Sequence, residues 1–177
     1  MIGVKDNFPA FDLNSNIKSG TPDEAFTRIT NNTYKGKWLV FFAWPKDFTF
    51  VCPTEIIAFG NHDEKFKKLN AQVLGCSFDS EFVHLAWRND SKHIGDIPFP
   101  FLSDIKRELC GQLGIIDADE GVPQRATIIV NPEGVVEFVY TTNLSIGRSP
   151  EEVLRVLEAL QSGGLCAANW KSGDKHL

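Results

Sequence analysis

The chain is 177 residues long, 42% hydrophobic and 23% charged, with fourteen Phe and four Trp. A single domain of this length buries roughly two-thirds of the surface its unfolded chain exposes, and the aromatic content excludes a disordered chain. The net charge of −5 argues against nucleic acid or an anionic membrane as a general partner. Lys65, Lys67 and Lys68 form a local basic trio, read here as a solvated helix face.

No apolar stretch approaches the ~18 residues of a membrane span. Residues 1–11 lack a basic segment followed by an apolar run, so no signal peptide or anchor is visible and the cytoplasm is the expected compartment. Cys52, Cys76, Cys110 and Cys166 include no Cys-x-x-Cys pair, and the histidines include no His-x-x-x-His pair. A structural metal is therefore not expected. In a reducing cytosol any disulfide would be transient and catalytic.

In chain order, residues 8–13 alternate weakly and read as a strand. Residues 14–37, rich in Ser, Thr, Asn and Gly, read mainly as loop with one short helical turn. Trp38-Leu39-Val40-Phe41-Phe42-Ala43-Trp44 is a nearly continuous apolar run ended by Pro45, as in strands buried on both faces. Residues 53–70 place Ile56, Phe59, Phe66 and Leu69 at helical spacing. A buried strand over 71–78 and a helix over 81–89 follow. On that helix His84 and Trp87 either pack in the core or line an interface or the rim of a reactive site. A short strand over 99–102 is expected at an edge or interrupted, because Pro100 cannot donate to a ladder. A helix over 104–113 comes next, carrying Cys110, which with Cys76 reads as a buried structural thiol. Strands over 126–130 and 135–140 flank Asn131-Pro132-Glu133-Gly134, a tight-turn sequence. The last helix has the clearest start: Ser149 as N-cap, Pro150 at the first helical position, and Glu152 completing a capping box. It ends near Gly163-Gly164, and Trp170 anchors the tail. Strand–helix–strand units closed by a hairpin and a helix imply an α/β sheet covered on both faces, with right-handed crossovers. A central sheet of the thioredoxin type fits this order.

The chemistry is concentrated between Pro45 and Glu55. Pro53 suits the first helical position, which puts Cys52 at or next to the N-cap, where free N–H groups and the positive end of the helix dipole converge. That setting favours the nucleophilic thiolate. A reaction that expels an oxygen also needs donors aimed at it, and helix-start amides, the Thr49 hydroxyl and an arginine can supply them. Pro45 can shield the thiol from water, and Glu55 in the first turn can pair with an arginine.

Phe48-Thr49-Phe50-Val51-Cys52-Pro53-Thr54-Glu55 resembles the peroxidatic signature of the typical two-cysteine peroxiredoxins, in the bacterial alkyl hydroperoxide reductase C group. Asp79-Ser80-Glu81-Phe82-Val83-His84-Leu85-Ala86-Trp87, Phe99-Pro100-Phe101-Leu102-Ser103-Asp104, Arg125-Ala126-Thr127-Ile128-Ile129-Val130, Gly147-Arg148-Ser149 and Leu165-Cys166-Ala167-Ala168-Asn169-Trp170 extend the likeness over nearly the whole chain. The resemblance implies a thioredoxin-like fold with a central mixed β-sheet flanked by helices. It divides the chain into a domain over 1–163, with an N-terminal extension, and a tail over 164–177. It implies that Cys52 reduces hydrogen peroxide and organic hydroperoxides and becomes a sulfenic acid. Pro45, Thr49 and Arg125 would complete the pocket, and Glu55 and Arg148 would hold Arg125. Cys166 of a partner subunit would then resolve the sulfenic acid as an intersubunit disulfide, after local unfolding around Cys52. No metal or organic cofactor is implied. The partners implied are a second copy, in a homodimer that can build a ring of five dimers, and a reductase: a flavoprotein disulfide reductase, a thioredoxin or a dithiol adaptor. A redox-switched oligomeric holdase is the rival reading, but holding has no need of Thr49, Arg125 and Cys52 together. The missing Cys-x-x-Cys pair counts against a thioredoxin-type oxidoreductase.

Members of that family sensitive to overoxidation often carry a Gly-Gly-Leu-Gly insertion and a C-terminal Tyr-Phe helix. Here the corresponding regions read Lys92-His93-Ile94-Gly95-Asp96-Ile97 and Lys171-Ser172-Gly173-Asp174-Lys175-His176-Leu177. With less structure over Cys52, disulfide formation should outrun further oxidation. Intact-mass spectrometry during turnover with reductant is expected to show no species about 32 Da heavier, the sulfinic acid, at low peroxide. Its appearance there would overturn the expectation.

Overall fold

The Ser/Thr/Asn-rich segment after residue 13 is largely a hairpin and not the expected loop. In this computed structural model, which describes residues 1–177, strand β1 (Asp12–Asn16) pairs antiparallel with β2 (Phe26–Thr30), and the single turn α1 (Pro22–Ala25) lies between them. The expected strand over 8–13 overlaps β1 only at its end. Polar residues hide the hairpin because one of its faces meets solvent: Ser15 and Ile29 are buried on one face while Asp12, Asn14 and Arg28 are exposed on the other.

Strand β3 (Trp38–Ala43) shows how the core is organised. Val40 and Phe42 point into one hydrophobic cluster, and Leu39, Phe41 and Ala43 into the other. A strand with period two that is apolar at every position must be covered on both sides. The expected helix over 53–70 is two pieces, α2 (Val51–Asn61) and α3 (Asp63–Lys68), separated at His62, where ψ is 0°. Then come β4 (Ala71–Ser77), α4 (Glu81–Asp90), the turn α5 (Lys92–Gly95), β5 (Phe101–Ser103) and α6 (Glu108–Leu113). Strands β6 (Arg125–Val130) and β7 (Val136–Thr142) form a hairpin, and α7 (Pro150–Ser162) closes the domain. The seven strands form one mixed sheet in the order β2-β1-β5-β4-β3-β6-β7, with β3, β4 and β5 parallel. Ile56, Phe59, Phe66, Val153 and Leu157 cover one face; Leu109, Cys110 and Leu113 cover the other with Phe11 and Ile29.

Several local expectations are refined. Strand β5 is internal, between β1 and β4, because Pro100 sits just before it and spends only its carbonyl, which accepts from Gly75 N–H at 3.0 Å. Helix α6 starts four residues later than expected. Asp104 folds over its first turn instead, accepting from Leu109 N at 3.2 Å and Cys110 N at 2.8 Å. The β6–β7 turn is as read: Gly134 takes φ +86°, a conformation that favours glycine. Ser149 caps α7 through Glu152 N–H at 3.3 Å, but the Glu152 carboxylate turns to Arg155 at 2.7 Å, so the box is half formed.

Arg88 ties α4 to the approach of β5. Buried, it donates to Ile97 O and Phe99 O, both at 2.8 Å, and stacks 3.8 Å from the Phe101 ring centre. Burial pushes its guanidinium down to about 9, which still leaves it charged at neutral pH. Arg88→Met would orphan these carbonyls and is expected to lower unfolding free energy by about 3 kcal/mol. The urea midpoint, read by Trp fluorescence, checks this.

Candidate active site

Strand β3 continues its ladder through Trp44 N–H, which donates to Cys76 O at 2.9 Å, and Pro45 then turns the chain away. The loop over 45–50 is pinned from beneath. Trp44 Nε1 donates to Asp47 Oδ1 at 2.8 Å, and His84 Nδ1 lies 2.7 Å from Asp47 Oδ2. Asp47 N–H donates to Asp79 Oδ2 at 2.9 Å. Burial, followed by the Asp47 charge, raises the Asp79 carboxyl above the usual carboxylate range. Sequence reading placed His84 and Trp87 between core and interface; both are buried. It missed Asp47 as an anchor. An acidic residue three positions after an apolar strand was the only signal available. Beyond it, Phe48 adopts φ +55°, a left-handed conformation rare for a bulky side chain, and redirects the chain into α2.

Phe50 is the N-cap of α2 and offers no side-chain bond, so the N–H groups of Val51 and Cys52 have no intrahelical acceptor. Pro53 is the third helical residue and not the first, and it has no N–H to leave unpaired. Cys52 therefore lies just inside the helix, fully buried.

The structure brings Pro45, Thr49, Cys52, Glu55, Arg125 and Arg148 together. Arg125 opens β6, with Nη1 3.5 Å from Cys52 Sγ and 2.6 Å from Glu55 Oε2, and Nε 2.6 Å from Leu144 O. Arg148 grips the other side of the carboxylate: Nε and the backbone N reach Oε1 at 2.7 and 2.9 Å, and Nη2 reaches Oε2 at 3.1 Å. Its Nη1 donates to Ala126 O at 2.7 Å. One carboxylate and two guanidiniums leave a single net positive charge in a water-poor site. The thiol is the group beside it. Thr49 Oγ1 donates to Lys46 O at 2.9 Å, which leaves its lone pairs free to accept a proton donor. Pro45, Thr49, Val51, Val122, Arg125 and Leu144 line a cleft of about 200 Å³ over Cys52.

Cys166 is elsewhere. It follows α7, partly exposed, with Sγ 3.8 Å from Ala159 O. A rise of about 1.5 Å per residue puts Ala159 about 15 Å along α7 from Ser149, next to Arg148. Within one chain the two thiols do not meet. Cys76 and Cys110 are buried together on the opposite face of the sheet, and contact between them, then burial, pushes the Cys110 thiol well up. Both are packed residues. No group of three or more His, Cys, Asp or Glu is placed to hold a metal ion.

A helix-start thiol facing a carboxylate-held arginine on a sheet of this order defines a thiol-based redox protein. Comparison with known proteins places it more narrowly. The AhpC/TSA family model matches residues 4–139. Alkyl hydroperoxide reductase C of Mycolicibacterium smegmatis is 51% identical, covering 98% of this chain and 92% of the relative. The structure of Mycobacterium tuberculosis AhpC superposes with a TM-score of 0.89 at 48% identity, covering 97% of this chain and 99% of that one. A reduced Plasmodium vivax 2-Cys peroxiredoxin also gives 0.89, at 34% identity over 98% and 91% of the two chains. The chain belongs to the AhpC/TSA family, and its fold is the thioredoxin-like peroxiredoxin fold.

Glu55→Gln would leave two buried guanidiniums without their counter-charge. An unfolding free energy lower by about 3–5 kcal/mol is expected in urea titration, against a change within about 0.5 kcal/mol for an exposed control such as Glu133→Gln.

Proposed function

We propose that the protein is a thiol peroxidase that reduces hydrogen peroxide and organic hydroperoxides at Cys52. The observation that carries this reading is the 3.5 Å contact of Arg125 with Cys52 Sγ at an uncapped helix start, beneath a cleft open to a small ligand. A hydroperoxide entering the cleft donates its O–H to Thr49 Oγ1, and the amides of Val51 and Cys52 with Arg125 receive the charge that grows on the departing oxygen. The sulfur attacks the terminal oxygen, an S–O bond forms, the O–O bond breaks, and water or an alcohol leaves with the proton. Pro45 keeps water off the sulfur. Glu55 fixes Arg125, and Arg148 fixes Glu55, through charged hydrogen bonds. Aliphatic Val51, Val122 and Leu144 in the cleft suit the alkyl part of an organic hydroperoxide.

Cys166 in the tail over 164–177, following the domain over 1–163, is the resolving thiol. A disulfide needs Cα atoms within about 7 Å. With about 15 Å of helix between the two sites, Cys166 of a partner copy is the better candidate, and the first turn of α2 must open to expose Cys52. The exposed rings of Phe48, Phe50 and Phe82 support self-association, as a dimer and a larger ring. The disulfide is returned to thiols by a reductase protein, a flavoprotein, a thioredoxin or a dithiol adaptor. Four unpaired thiols support work in a reducing cytoplasm.

Peroxide consumption with dithiothreitol should vanish in Cys52→Ser. Cys166→Ser should keep turning over with the small thiol while losing the dimer band on a non-reducing gel. Activity that survives in Cys52→Ser would refute the reading.

A further inference from the structure

Outside the peroxide cleft, a second set of polar groups converges on Cys166. Gly163, at φ +71°, ends α7. A Cβ on Gly164 would strike the ring of His176, so that ring lies directly against bare backbone. The ring also stacks on Trp170, with centroids 5.6 Å apart and planes inclined by 8°. Trp170 is held in turn. Arg155 Nη1 donates to its carbonyl at 3.1 Å, and its indole N–H donates to Asp174 O at 3.2 Å. Leu177 N–H donates to Leu165 O at 2.9 Å, tying the chain after His176 to the chain before Cys166.

This scaffold presents His176 Nε2 at 3.0 Å from Ser162 Oγ, and Ser162 Oγ stands 3.4 Å from Cys166 Sγ. The serine has one hydrogen and two acceptors for it. Pointed at Ala159 O, 2.7 Å away, it makes an ordinary back-bond within the helix. Rotated toward Nε2, it leaves its lone pairs for the thiol, and a continuous path runs from S–H through Oγ–H to imidazole.

We propose that Ser162 and His176 form a proton relay that deprotonates Cys166 for the resolving step. The idea rests on Cys166 being the resolving thiol. As Cys166 Sγ attacks the sulfenic sulfur of Cys52, its proton passes to Ser162 Oγ while the serine proton passes to His176 Nε2. The S–S bond forms, the S–O bond breaks, and the departing hydroxide is protonated to water by solvent. Imidazolium later returns its proton to solvent. The resolving sulfur is oxidised and the sulfenic sulfur reduced by the same electron pair. Charged groups on the surrounding elements are Arg155, paired with Glu152 at 2.7 Å, and Asp174, which accepts from Lys171 N–H at 2.8 Å; Lys175 is adjacent in sequence. The Arg155 guanidinium, whose proton is held chiefly by its hydrogen bond to Glu152, lines the same cleft as Cys166.

The size of the effect is bounded. An ordinary cysteine thiol is only about 3% ionised at pH 7, so full deprotonation can accelerate attack by about 30-fold at most. The test is rapid mixing of reduced protein with peroxide, following oxidation of Cys52 and disulfide formation as separate fluorescence phases across pH. His176→Phe keeps a ring to stack on Trp170 but cannot accept a proton. It is expected to slow the disulfide phase about 10-fold at pH 7 and leave the first phase unchanged. Its rate should rise steeply toward high pH, where the thiol ionises unaided. Ser162→Ala should reproduce this profile. A His176→Phe disulfide phase with the wild-type rate and pH dependence would overturn the relay. Cys166→Ser is the separate control: a disulfide that still forms there refutes the resolving assignment, whatever the relay variants do.

Discussion

One carboxylate organises the reactive face of this protein. Glu55 is buried, and both its oxygens are used: Arg125 takes one, and Arg148 takes both with its side chain and one with its backbone. Isolated in a dry interior, any of these charges would be expensive; the two cations make the anion tolerable and the anion fixes the cations in place. The geometry joins three separate stretches of chain. Glu55 comes from the first turns of α2, Arg125 from the start of β6, and Arg148 from the segment leading into α7. The ionic cluster therefore clamps the helix that carries Cys52 to the internal strand that supplies its arginine. Its excess positive charge lies beside Cys52 Sγ, where the proposed reaction builds negative charge.

The rest of the fold provides a rigid mount for that cluster. Strand β3 is locked between two apolar layers, so the position at which the chain leaves it, Trp44-Pro45, is well defined. The buried Asp47 then joins the indole of Trp44 to the imidazole of His84 and holds the loop down on α4. Thr49 and the uncapped turn of α2 are presented from this fixed base. The arrangement protects the thiol as well as placing it: Cys52 has no exposed surface. The cleft above it is sized for a small peroxide, and in the proposed cycle a second thiol approaches only after the helix start opens.

The two thiols that the proposed cycle joins occupy contrasting surroundings. Cys52 is rigidly held, enclosed and faces a guanidinium. Cys166 is half-exposed beyond a helix end, with a hydroxyl and an imidazole beside it and the ring of Trp170 beneath. The contrast fits the tasks proposed for them. A peroxide brings its own leaving group and needs a site that stabilises charge, whereas the attacking thiol of the second step needs mobility and somewhere to place a proton.

Much of this was legible in the order of residues. The continuous apolar run at 38–44 identified a doubly covered strand, because only such a strand lacks a polar face. Ser149-Pro150 marked the start of α7, because capping is local chemistry. The Phe48–Glu55 motif, with Arg125 and Arg148, named in advance residues that the structure gathers around Cys52. What the sequence could not supply were relations between distant residues. The β1–β2 hairpin was obscured by polar composition, since its stability comes from pairing and from burial of a few positions such as Ile29. Asp47 gave no sign that it would bridge Trp44 to His84, and β5 looked like an edge until β1 was found beside it. The gathering of Ser162, Cys166 and His176 depends on a tail folding back over a pair of glycines. Local propensity and motif are written along the chain; register, burial and contact across it are settled only when the whole chain competes for the same interior, and tertiary structure alone decided them.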